Sequence, residues 1–308
     1  MKRIIRKTNR LKSFISDDIW HIDLEELSKA KARLIKYIKV AMITIRTFSS
    51  EKIGFQAVAL SFFSTMAVVP FIAIAFAVTG GLGLDDKLAE LLYTYFNNSQ
   101  QVIDVILGFA QNIIASAESG WVGFVSALLF AWIVIWMMMS VERVFNNVWR
   151  VGKPRNIIKR LSVILIMIIV APLVVMVFFA GTIMYSHMFE YLGLDMETFG
   201  PVKTILTWLL FAAVATFTFS AMYKFIPNEN VRYGCALIAA VPAAVAFAVM
   251  NYLYLETQVL VTRLNAVYGA FAAVPLLMIW INIGWFIILI GAELSYAFQH
   301  VDDYNIED

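Results

Sequence analysis

The residues with the clearest chemical potential lie in the segment VERVFNNVWRV, residues 141–151. Glu142, Asn146 and Trp149 recur at helical spacing, so a helix places them on one face. Arg143 directly follows Glu142 and adds a guanidinium. A carboxylate, an amide, an indole and a guanidinium together form ion pairs and hydrogen bonds. The pattern therefore predicts a polar network, and it identifies no catalytic residue.

Metal-dependent and ATP-dependent chemistry has little support in the sequence. A metal-dependent nuclease needs clustered histidine and carboxylate ligands, whereas His21, His187 and His300 are far apart in the sequence. No GxxxxGK[ST] phosphate-binding loop occurs. The net charge of +2 is too small to indicate a nucleic-acid partner. We therefore expect no metal, no cofactor, no nucleic acid and no enzymatic activity.

The composition indicates a membrane protein. Apolar residues form 61% of the chain and charged residues 15%, against about 45–50% and about 25% in soluble domains. A membrane-spanning helix needs about 20 mostly apolar residues. Six continuous stretches meet this requirement, which predicts an all-α integral membrane protein with spans at about 54–79, 121–141, 161–186, 204–223, 233–255 and 268–297.

The basic residues predict the orientation of these spans. Of the 24 lysines and arginines, 21 lie before the first span or in the loops after the second and fourth spans. The positive-inside rule places this side in the cytoplasm, and six spans return the C-terminus to the same side. The expected organisation is a cytoplasmic segment 1–52 with an amphipathic helix, a transmembrane domain 53–298 and a cytoplasmic tail 299–308.

Four of the predicted spans contain an internal proline. Proline lacks a backbone donor and kinks or interrupts a helix, and broken helices build binding sites in transporters. Proline is also common in ordinary membrane helices. We predict candidate helix breaks in the first, third, fifth and sixth spans at Pro70, Pro172, Pro242 and Pro275.

Two polar residues of the sixth span need partners. Asn282 lies near the middle of that span, so its amide should face the interior of the bundle. Glu293 lies near the end, at the membrane level expected for Glu142, because both spans run from outside to inside. We expect Glu293 to pair with Arg143 or another base of the following loop; the alternative is a carboxylate solvated at the interface.

Two segments outside the spans are amphipathic. Residues 23–48 predict a helix that either lies on the inner leaflet or packs against the cytoplasmic end of the bundle. Residues 84–120 predict two short extracytoplasmic helices between the first two spans. The sequence leaves open whether these two helices form a lid, an interfacial pair or a docking surface.

Four segments together resemble the YihY/BrkB family of bacterial inner-membrane proteins. They are ALSFFSTMAVVPFIAIAFA, VERVFNNVWRV, IPNENVRYGCALIAA and the last span with YGAFAAVPLLMIWINIGWFIILIGAELSYAF. The resemblance covers roughly residues 40–300 and implies a six-helix inner-membrane fold. It also implies links to virulence, serum resistance and envelope lipid transport. An earlier ribonuclease label of the family is regarded as a misassignment, and the family supplies no catalytic residues.

Two hypotheses for the function follow. The first is a transporter-like protein that moves or accommodates a lipid or another amphiphile in envelope biogenesis, because the spans contain prolines and very few charges. The second is a non-transporting scaffold that anchors envelope-assembly proteins through residues 84–120 and the N-terminal helix. Membrane lipids are the partners expected for the first, and envelope proteins for the second. The sequence leaves open whether the chain forms homo-oligomers.

Overall fold

The described part of the chain is helical. A computed structural model describes residues 18–21, 28–50, 52–80, 121–153, 155–170, 173–174, 196–262 and 266–302, together with single residues and pairs between 86 and 112. Its α-helices, which we number in chain order, are α1 (Lys29–Ser50), α2 (Ile53–Gly80), α3 (Trp121–Val148), α4 (Met196–Phe225), α5 (Tyr233–Thr262) and α6 (Ala266–His300). Residues 157–170 are also helical, and Asp18–His21 form a short 3₁₀ turn.

Five of these helices are long and apolar enough to cross a membrane. The apolar stretches are Ile53–Ile74, Leu128–Val148, Ile205–Phe225, Tyr233–Tyr254 and Pro275–His300. They correspond to the predicted spans one, two, four, five and six. The predicted third span, 161–186, is described only up to residue 170 and at 173–174, where it is helical. A helical membrane fold is therefore confirmed for the described residues, while the third span, and with it the total of six, stays a prediction.

The structure shows no interruption of the helix at three of the prolines, and a kink at these positions stays a prediction. α2, α5 and α6 continue as single helices through Pro70, Pro242 and Pro275. Each proline removes one backbone donor, while the many remaining i→i−4 hydrogen bonds hold helices of 28 to 35 residues together on both sides. Pro172 lies outside the described residues.

Helix α6 is the centre of the bundle, because it contacts α1, α2, α3, α4 and α5. It packs most extensively against α5, which in turn packs against α4. The α5 face in this contact carries alanines at helical spacing, all buried: Ala236, Ala239, Ala240, Ala243 and Ala244. Small side chains let helix backbones approach closely, which is how helices associate where lipid removes the hydrophobic driving force.

The outer faces of the bundle are apolar. Large apolar side chains are exposed on every spanning helix; examples are Phe55, Phe62, Met66, Trp121, Trp132, Phe217, Val245 and Ile283. Soluble proteins rarely expose contiguous apolar surface of this extent. Exposing these apolar side chains to water would be unfavourable, whereas contact with lipid tails suits them.

Helix α1 packs against the end of α6. Val40 and Ile43 of α1 form a buried cluster with Ala297 and Val301, and the Lys36 ammonium lies 3.0 Å from a carboxylate oxygen of Asp302. The sequence predicted that residues 23–48 form a helix that either lies on the inner leaflet or packs against the bundle. The inner face of α1 packs against the bundle. The Tyr37 ring packs edge-on against Phe298 of α6, with centroids 5.8 Å apart, while Leu34 and Ile45 remain exposed on the outer face.

The segment 84–120 is described only at separate residues, and these are helical. The Tyr93 hydroxyl donates a hydrogen bond of 2.6 Å to Asp104, which raises the pKa of the phenol. Leu107 contacts Phe76 near the end of α2. The two predicted amphipathic helices otherwise lie outside the described residues.

The contact between α6 and its neighbours predicts a strong effect of one added methyl group. A Cβ atom at Gly291 would lie 2.8 Å from Cζ of Tyr223 and 2.9 Å from Cβ of Ala243. Gly291→Ala is expected to destabilise the protein by about 1–3 kcal/mol, because it overpacks the contact. Thermal unfolding of the purified protein in detergent measures the effect.

Gly284→Ala is the matched control on the same helix. Its Cβ atom would meet only Phe247, at 3.4 Å, which is an ordinary contact distance. We expect this variant to unfold at or near the wild-type temperature. Equal unfolding temperatures for the two variants would contradict the proposed tight contact at Gly291.

Candidate functional site

The candidate site is a cavity of about 600 Å³ between α2 and α3. It lies at the basic end of the bundle, which we define as the end where residues 141–160, 224–232 and 293–302 meet. Its lining combines apolar, amide and charged side chains: Gln56, Ala59, Leu60, Phe63, Ser140, Glu142, Arg143, Val144, Asn146, Asn147, Arg150, Val151 and Arg160. Its volume falls within the range of small-molecule sites, about 300–1,000 Å³.

A partly buried ion pair holds one wall of this cavity. Arg160 Nε lies 2.6 Å from Oε2 of Glu142, whose side chain is only 3% exposed. Arg160 Nη2 also donates to the carbonyl oxygen of Met139, at 3.2 Å. The ion pair therefore attaches the beginning of the helical residues 157–170 to the end of α3. Sequence reasoning did not identify Arg160 as the partner, because the pairing depends on how the chain reverses between residues 149 and 156.

Asn146 connects α3 to the loop between α4 and α5. Its side-chain oxygen accepts a hydrogen bond of 2.7 Å from the backbone N–H of Asn228. The Asn228 side chain accepts from Arg155 Nε at 3.2 Å and donates to the carbonyl of Lys153 at 3.1 Å. Arg155 also donates to the carbonyl of Pro227 at 3.1 Å. Two loops thus lock together beside the cavity. The polar run IPNENVR was the only sequence signal for this contact.

Trp149 is buried and connects α3 to α6. Its ring packs edge-on against Tyr296 and His300, with centroids 5.6 Å and 6.0 Å apart. Arg150 places its guanidinium carbon 5.4 Å from the centre of the Tyr296 ring. Glu142, Asn146 and Trp149 therefore contact three different neighbours: the 157–170 helix, the α4–α5 loop and α6.

Arg143 and Glu293 occupy different environments. Arg143 lines the cavity and is exposed, whereas Glu293 is fully buried in α6. The ion pair that the structure shows at this level joins Glu142 to Arg160. The expected pairing of Glu293 with Arg143 or another base stays a prediction.

Asn282 lies deeper in the bundle, at the contact between α2 and α6. Its side-chain amide donates to the Ser61 hydroxyl at 3.3 Å. One turn further along α6, Trp285 Nε1 donates to the Ser64 hydroxyl at 2.8 Å. These hydrogen bonds hold two helices together. Among the described residues, no group of three or more histidine, cysteine or acidic side chains could hold a metal ion.

The Glu142–Arg160 pair predicts an asymmetric response to mutation. Arg160→Met would leave the Glu142 carboxylate buried without its cation, so we expect a loss of about 2–3 kcal/mol. The double variant Glu142→Met/Arg160→Met should lose less, because no charge remains buried. The thermal unfolding temperature in detergent measures both.

Lys159→Met, which changes the exposed neighbouring residue, is the control and should unfold like the wild type. Similar unfolding temperatures for Arg160→Met and Lys159→Met would show that the ion pair contributes nothing to stability.

Comparison with known proteins agrees with the family resemblance seen in the sequence. Relatives named UPF0761 membrane protein occur in Janthinobacterium sp. (strain Marseille), 27% identical over 82% of this chain, in Haemophilus influenzae (strain 86-028NP), 24% over 84%, and in Paraburkholderia xenovorans (strain LB400), 30% over 88%. The matched regions cover 58%, 94% and 62% of these relatives, so the chain spans less than two thirds of the first and third.

No solved structure matches the chain. A family model described as Virulence factor BrkB matches residues 44–308, which include α2 to α6, all the cavity-lining residues named above and the Asn146–Asn228 contact. The chain therefore belongs to the virulence factor BrkB family of membrane proteins.

Proposed function

We propose that this protein is a transporter-like component of the bacterial inner membrane that accommodates a lipid or another amphiphile and moves it during envelope biogenesis. The observation that carries the proposal is the cavity between α2 and α3, because its lining combines apolar residues with amides and cations. An amphiphile has an apolar part and a polar part, so its binding site needs apolar and polar surface next to each other.

The proposed orientation places the cavity on the cytoplasmic side. The basic end of the bundle carries the arginines of residues 143–160 together with Lys224 and Arg232. The positive-inside rule assigns such an end to the cytoplasm. Both chain ends then lie on the cytoplasmic side, and a ligand would enter the cavity from the inner leaflet.

The apolar wall of the cavity continues onto the lipid-facing surface. Ala59, Leu60 and Phe63 of α2 form this wall, and the neighbouring Phe62 and Met66 are exposed. Phe63 stacks on Trp136 of α3, with ring centroids 6.2 Å apart. The cavity is large enough for a polar headgroup, while acyl chains would lie along the exposed faces of α2 and α3.

A scaffold that anchors envelope-assembly proteins is the second candidate. The exposed residues Leu34 and Ile45 on the outer face of α1 favour it, because they would suit a protein partner. Crosslinking from this face separates the two functions: a stoichiometric protein partner supports the scaffold, and trapped lipid supports the transporter-like protein.

Lipid transfer in reconstituted vesicles tests the proposed function. The wild type should move fluorescent lipid between leaflets faster than protein-free vesicles do. Ala59→Trp should reduce this rate towards the protein-free value, because an indole would occupy the cavity that Ala59 lines.

Ala246→Trp is the control, since Ala246 is exposed on α5 and does not line the cavity. This variant should keep the wild-type rate. Wild-type transfer no faster than in protein-free vesicles, across anionic and zwitterionic lipids, would refute the transport proposal.

A further inference from the structure

We infer that Arg143 and Arg150 form a binding site for the phosphate group of an anionic amphiphile at the mouth of the cavity. This inference rests on the proposed function and names the chemistry that the ligand must present. It also names two residues whose roles the ion-pair network of the site does not explain.

Two of the arginines that line the cavity are available to bind an anion. The described lining contains three arginines and one carboxylate, that of Glu142. Arg160 is engaged, because it pairs with Glu142 and donates to the carbonyl of Met139. Arg143 and Arg150 form no ion pair with any described residue. The cavity therefore carries two positive charges beyond its internal pairing, which an anion would neutralise.

The two arginines lie on one side of the end of α3. Arg143 lies in the last turns of α3, and Arg150 lies in the turn that follows the helix. Both line the same cavity, and their long side chains can converge on one group between them. A guanidinium donates two parallel hydrogen bonds to phosphate oxygens, so two guanidinium groups suit a phosphate better than a single charge.

Arg150 is oriented before any ligand arrives. Its guanidinium lies over the ring of Tyr296, 5.4 Å from the ring centre, and Tyr296 is itself buried against Trp149. Stacking on an aromatic ring uses the face of a guanidinium and leaves its N–H edge available for donation. The contact with Tyr296 therefore restrains the side chain of an arginine that lines the cavity.

The backbone at Arg150 gives an independent argument. α3 ends in a Schellman motif, in which Val151 N–H donates to the Asn146 carbonyl at 2.9 Å and Arg150 N–H to the Asn147 carbonyl at 3.0 Å. Arg150 occupies the left-handed position of this motif, with φ of 50°. Glycine is the residue that this position favours, and a side chain there costs conformational energy. The conformational cost at this position is the second observation that motivates a role for the Arg150 side chain.

This placement allows an experiment that separates folding from binding. Arg150→Gly removes the guanidinium and at the same time relieves the left-handed backbone, so the variant should unfold at or above the wild-type temperature. Arg143→Gln removes the second cation from an exposed position. Arg232→Gln is the control, because Arg232 is exposed at the same end of the bundle and does not line the cavity.

Binding is measured on the full-length protein in neutral detergent by native mass spectrometry and calorimetry. The probes are dioctanoyl phosphatidylglycerol, dioctanoylglycerol without phosphate, and inorganic phosphate. Arg143→Gln and Arg150→Gly should each weaken phosphatidylglycerol binding by about tenfold, while Arg232→Gln leaves it unchanged. Dioctanoylglycerol should bind more weakly than phosphatidylglycerol.

The measurement with inorganic phosphate shows whether the site binds a lipid headgroup or free phosphate. Weaker binding of inorganic phosphate than of phosphatidylglycerol supports a lipid headgroup, whereas equal affinity would identify free phosphate and overturn the amphiphile. Unchanged binding in both cavity variants, or an equal loss in Arg232→Gln, would overturn the site. Vesicle transfer by the wild type with unchanged binding in both variants would reject this site alone. Lost binding in both variants without any vesicle transfer would instead reject the transport proposal.

Discussion

The close approach of α6 to α4 and α5 is the constraint on which the rest of the bundle depends. Inside a bilayer, apolar side chains gain little by leaving lipid for protein, so helices associate through close packing and hydrogen bonds. Gly291 and the buried alanines of α5 permit this packing, and Tyr223 fills the space that the glycine leaves. Because α6 contacts all five other numbered helices, its position determines where each of them can lie.

The cavity follows from where this close packing stops. α2 and α3 meet α6 through larger side chains and through individual polar contacts, such as Asn282 with Ser61. At the basic end, α3 carries charged and amide residues that would be costly to bury without partners. The Glu142–Arg160 pair and the Asn146–Asn228 hydrogen bond satisfy part of this polarity. The remaining arginines face the cavity, where water or a ligand can reach them.

Much of this fold could be predicted from apolar length alone. α2 to α6 fall where long uncharged stretches occur, because a bilayer permits few other structures for such stretches. The polar segment 141–151 was also found, since carboxylate and amide side chains stand out beside an apolar span.

What could not be predicted were contacts between distant parts of the chain. The partner of Glu142 is 18 residues away on another helix, and the partner of Asn146 is 82 residues away. Periodicity within one helix carries no information about either. The helices continue through Pro70, Pro242 and Pro275, because the loss of one donor does not end a helix that its neighbours hold in place.

The connection between α1 and α2 has a mechanical consequence. α1 ends at Ser50 and α2 begins at Ile53, so only two residues separate them, and Lys52 turns the chain with φ of 51°. Two residues can span only about 7 Å, so the end of α1 and the start of α2 must stay close together. The first turns of α2, from Gln56 to Phe63, are also a wall of the cavity. A displacement of α1 relative to the bundle would therefore be transmitted to that wall and would change the width of the cavity.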